Sequence, residues 1–110
     1  MHRLTSYLLQ CAAPGREPIG IAVFLMDEVK NSLRFRFRED IDSLSNEVRE
    51  ALESVTTEFI DQIDKMRPAL LLEYIADRFS NVALTMLGFA LTTNPDRELD
   101  RLFRIHCASG

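Results

Sequence analysis

The 110 residues carry a formal net charge of −4, with 46% hydrophobic and 27% charged side chains. That balance belongs to one globular domain able to bury its own core, with no metal or disulfide framework required. An acidic chain disfavours a general phosphate-backbone binder, and no run of eighteen apolar residues reads as a membrane span.

Met1-His2-Arg3 ahead of Leu4–Ala13 has the outline of a signal peptide, and Leu8-Leu9-Gln10-Cys11 that of a lipoprotein cleavage site. Thr5, Ser6 and Gln10 interrupt the apolar stretch, and Gln10 is bulky where a small residue is needed. The expectation is a cytoplasmic protein whose two cysteines, Cys11 and Cys107, stay reduced.

Thr5 to Ala12 reads as a strand, and the prolines and glycine of Ala13–Pro18 as a loop. Ile19 to Met26 is apolar on both faces, the pattern of a central strand. Gly20 inside it suggests a bulge or a close backbone approach. Asp27 to Ser32 suits a hairpin turn. Leu33, Phe35 and Phe37 then alternate with Arg34, Arg36 and Arg38, which puts aromatics on one sheet face and arginines on the other. Together these strands predict an antiparallel meander with Phe35 and Phe37 buried.

From Asp42 the period changes. Leu44, Val48, Leu52, Val55, Phe59, Ile63 and Met66 make one helical stripe, with Asp42 or Ser43 able to cap it. Ser54-Val55-Thr56-Thr57 is a poor helix interior, so 44–66 is either one helix or two. Pro68 ends that stripe and opens a second helix, Ala69 to Phe79. Val82 to Thr93 fits either a strand or a helix extension. Asn94-Pro95-Asp96 is a strong helix start, with Leu99, Leu102, Phe103 and His106 on its apolar side.

Several of these segments carry a resemblance. Ser6-Tyr7-Leu8-Leu9-Gln10, the Pro-Gly-Arg turn and Ile19-Gly20-Ile21-Ala22-Val23 resemble the opening of a bacterial family of small proteins of unknown function. Leu71-Leu72-Glu73-Tyr74-Ile75, Ser80-Asn81 and Glu98-Leu99-Asp100-Arg101-Leu102-Phe103 are similar to its middle and closing helix. Pro18-Ile19 stands where the family has an asparagine. The resemblance implies an α+β fold and no particular activity, substrate or cofactor.

The arginine row is the most informative constellation. Side chains two apart on a strand lie about 7 Å apart, near a phosphate repeat. Arg34, Arg36 and Arg38 therefore form either an anion, nucleic-acid or partner surface, or a face neutralised by the chain's own 17 acidic residues. No aromatic shares that face, so a base-stacking platform is not indicated. His106-Cys107, Cys11 and His2 have ligand chemistry without zinc spacing. Glu39, Asp40 and Asp42 sit between strand and helix, where acids cap. No phosphate loop or nucleophile elbow is present in the sequence.

The sequence therefore predicts an α+β domain spanning 1–110: an antiparallel three- to four-stranded sheet with three or four helices packed mainly on one face. The expected function is a non-enzymatic interaction or regulatory module with no catalytic, metal or cofactor site. Homodimerisation through the 44–66 helix is one route to that role, and anion or nucleic-acid binding through Arg34, Arg36 and Arg38 is the alternative.

Overall fold

The period-two segments form strands and the period-3.6 segments form helices. In the computed structural model, which describes residues 2–12 and 14–107, strands β1 (His2–Cys11), β2 (Ile19–Asp27) and β3 (Ser32–Phe37) make the expected meander. Helices α1 (Asn46–Gln62) and α2 (Pro68–Arg78) then carry the chain to β4 (Val82–Thr92), and α3 (Pro95–His106) follows. The sheet is antiparallel throughout, in the order β3-β2-β1-β4. The β2–β3 turn is held by the Lys30 amide donating to Asp27 Oδ1 at 3.1 Å, with Asn31 at positive φ.

Alternation along β2 builds two cores. Ala22 and Phe24 face α1 and α2, joined by Leu9, Val48, Val55, Phe59, Leu71 and Ile75. Val23 and Leu25 face the other way, against Leu4, Leu8, Leu99 and Leu102. The helices divide two and one: α1 and α2 share one face, and α3 covers the opposite face. Both faces of β2 are filled, which is why its sequence is apolar throughout.

The 44–66 stripe is a single helix, shorter than its apolar period, over 46–62. Ser54–Thr57 does not split it. Val55 is fully enclosed, and Thr56 Oγ1 donates to the Leu52 carbonyl at 2.7 Å, so packing overrides local propensity. Its cap is Ser45, which accepts from the Val48 amide, rather than Asp42 or Ser43; those lie in a 3-10 turn at 41–43. Pro68 opens α2 and holds Arg67 extended, closing off any continuation. Segment 82–93 resolves as strand because the free side of β1 takes its ladder from His2↔Thr92 to Cys11↔Val82.

Phe59 anchors the first core. Its ring centroid lies 4.7 Å from Phe35, 5.1 Å from Phe37 and 5.6 Å from Phe24, all inclined rather than stacked. Phe35 and Phe37 are half-buried at the β3 edge rather than enclosed as expected.

Gly20 fulfils both readings of a glycine within a strand. The β1–β2 register slips there, with Leu9 opposite Ala22 and Gln10 opposite Gly20, so Ile21 is the extra residue. An added Cβ would lie inside contact distance of the His106 carbonyl oxygen and 3.2 Å from Cys107 Sγ. The bare backbone is what lets the end of α3 seat on the sheet.

Candidate functional site

The arginine row divides two and one. Arg34 Nη1 meets Asp96 Oδ1 at 2.6 Å and Arg36 Nη1 meets Asp100 Oδ1 at 2.6 Å, both across the second layer to α3. The spacings match: four residues of helix rise about 6 Å, and two residues of strand span about 6.7 Å. A strand pair at i, i+2 thus registers against a helix pair at i, i+4. Arg36 also lies over the Phe103 ring, 4.2 Å from its centroid. Arg38, one residue beyond β3, does not join this ladder. It donates from Nε and Nη2 to Asp40 at 2.6 and 3.0 Å. That fork holds the Asp40 carboxyl down to about 2, with help from the Ser43 hydroxyl.

Asp96 and Asp100 are the partners that sequence reasoning did not pair with the row. The signal was present as their four-residue spacing at the start of a helix, but nothing local says which face of the sheet that helix covers.

The thiols are positioned for packing. Cys11 belongs to the α1–α2 core and Cys107 to the α3 core, so the sheet separates them. Burial pushes the Cys107 thiol up to about 11, and burial followed by Glu47 raises that of Cys11. Both shifts disfavour the thiolate. Tyr74 Oη donates to Glu58 Oε1 at 2.5 Å, which raises the phenol and clamps α2 to α1. Among the described residues, no group of three or more His, Cys, Asp or Glu side chains could hold a metal ion, and no helix is long and apolar enough to cross a membrane.

The unsatisfied surface lies at the other end of the sheet. β4 is an edge strand of eleven residues, and Val82 to Thr93 contains no charged side chain. Such edges are ordinarily guarded by lysine, proline or a covering element. Here Val82 and Leu84 join the first core, but Met86, Phe89 and Leu91, further along, are 56%, 66% and 69% exposed. The register places them opposite Tyr7, Thr5 and Arg3, on the face that carries α1 and α2. Arg3 lies over the Phe89 ring at 5.3 Å from the centroid, and Thr5, Glu28 and Val29 complete a recess of about 230 Å³ beside it. A bulge between Ser6 and Tyr7 leaves Leu87 unpaired, and Gly88, at φ +146°, accepts a hydrogen bond from Ser6 Oγ. Chemically this surface offers main-chain hydrogen bonds and apolar contact, with Arg3 and Glu28 at the recess beside it.

No family model, curated protein or solved structure matches this chain.

Proposed function

We propose that the protein is a non-enzymatic interaction module that docks a polypeptide strand along β4. The observation that carries this reading is an eleven-residue edge without charge, flanked by exposed Met86, Phe89 and Leu91. Strand addition draws affinity from backbone pairing and specificity from alternate side chains, and the apolar residues beside this edge supply the latter. The alternative, anion or nucleic-acid binding through Arg34, Arg36 and Arg38, ranks second. Each of those guanidiniums already faces a carboxylate of its own chain, so a polyanion must first displace Asp96, Asp100 or Asp40.

Selection from a displayed library of extended peptides tests the reading. The expected winners are apolar, strand-forming peptides whose binding is lost in Phe89→Lys. A library that yields no binder sensitive to position 89 goes against it. Salt-sensitive oligonucleotide binding that disappears when Arg34, Arg36 and Arg38 are changed to Ser would promote the alternative.

A further inference from the structure

We infer that the occupant of the β4 edge is a second copy of this chain, paired antiparallel through β4 to give a continuous eight-stranded sheet. This rests on the reading of β4 as a docking edge. The 44–66 route to a dimer has little left to use, since Val48, Leu52, Val55 and Phe59 of that stripe are enclosed against the sheet.

Charge is the first argument. The chain carries a net −4, and a self-contact lined by its acidic side chains would set like charges together. β4 meeting β4 sets none together, because Val82–Thr93 has none. The opposite edge could not do this: β3 against β3 would appose Arg34 and Arg36 with their own copies.

Shape is the second. The helix layer covers the Val82–Leu84 end of β4 and leaves the Phe89–Leu91 end bare on the same face. An antiparallel strand pair has its two-fold axis perpendicular to the sheet, so both copies keep their α1–α2 layers on one side. With the axis near the Leu87–Gly88 bulge, the covered end of each copy runs beside the bare end of the other. The bulge then falls at the centre, where the two short ladders separate, rather than inside either one.

Area sets the strength. An eleven-residue strand is about 36 Å long and a sheet edge is about 10 Å thick, a strip of roughly 350 Å² on each copy. Doubled, and with the apolar residues beside it, the buried surface is at the low end of specific interfaces, about 1,000 Å². The dimer is therefore expected to dissociate in the micromolar range.

Size-exclusion chromatography with light scattering, from about 1 to 200 µM, reads this directly. The wild type should shift from monomer to dimer across that range. Phe89→Lys should weaken dimerisation at least tenfold with its melting temperature unchanged at the lowest concentration. Met86→Lys supplies the same test should the charge beside Arg3 disturb folding. Variants that dimerise as well as wild type place the interface elsewhere and overturn the inference. A monomeric wild type at 200 µM also overturns it. If that monomer still takes library peptides in a Phe89-dependent manner, strand docking survives and only self-pairing falls; if it takes none, both fall.

Discussion

Gly20→Ala is the most discriminating single change, because one methyl group tests the seating of α3. The residue has no special backbone requirement, so replacing glycine should by itself stabilise the protein by about 0.4–1 kcal/mol through the unfolded chain. Against that stands the clash. A Cβ here falls within contact distance of the His106 carbonyl oxygen and lies 3.1 Å from its carbon, and both are backbone atoms that no rotamer can move. Restoring an ordinary carbon–oxygen separation requires the last turn of α3 to lift by about 1 Å. A gap of that size forfeits about a quarter to a half of the dispersion energy of the contacts it opens. Those contacts belong to the core of Leu4, Leu8, Val23, Leu25, Leu99, Leu102 and Cys107. Overpacking of this kind costs about 1–3 kcal/mol, so the net expectation is a loss of about 1–2 kcal/mol after the unfolded-state gain. Urea denaturation measures it. Thiol labelling adds an independent readout: Cys107, 1% exposed, should react faster in the variant, while Cys11 across the sheet should not change. An unchanged or raised denaturation midpoint with Cys107 still protected would refute the close approach of α3 to β2.

Phe59→Ala should cost about 3–5 kcal/mol, because the enclosed ring touches three other phenylalanines; equilibrium unfolding checks it. A double-mutant cycle on Arg36 and Asp100 should return only about 0.2–1 kcal/mol, since both side chains are about half exposed, and the coupling should shrink in high salt. Asp40 should titrate near 2 by NMR, below its ordinary 3.8. Its folded-state value is the lower one, so its contribution to stability is complete above about pH 4 and is lost as pH falls towards 2; Asp40→Asn should remove that part of the acid dependence.

Strand identity and facing were legible wherever one residue's neighbours decide them. Arg34-Phe35-Arg36-Phe37 could only be a strand with unlike faces, and Gly20 announced its bulge and its close approach. What stayed open, or unseen, depended on distant partners. Val82–Thr92 is rich in Leu, Ala and Met, all good helix formers, and became strand because β1 offered a free ladder some eighty residues earlier in the chain. Ser54–Thr57 stayed helical because Val55 had a core to enter. The two Arg–Asp pairs join residues 62 and 64 apart, and only the placement of α3 on the second face makes them neighbours. The arginines were visible as a row; that their partners were their own chain's aspartates was not.

The two sheet edges are treated in opposite ways, and the difference argues for a role rather than for neglect. β3 is guarded: arginines alternate along it, and Asp96 and Asp100 of α3 hold two of them. This is the arrangement that keeps an edge from pairing with another chain. β4 is nearly twice as long and has only a single bulge to blunt it. Three large apolar side chains stand beside it, and Arg3 of β1 lies over the Phe89 ring. Leaving both edges open would invite extension without limit, since each copy could recruit on two sides. Closing β3 while opening β4 permits one pairing and then stops. If β4 pairs two copies as inferred, mutating the guard supplies the contrast: Arg34→Val with Arg36→Val should turn a terminating dimer into a concentration-dependent, aggregating species visible by light scattering. If that double variant remains no larger than wild type, β3 is protected by α3 alone and the charges contribute nothing to the limit.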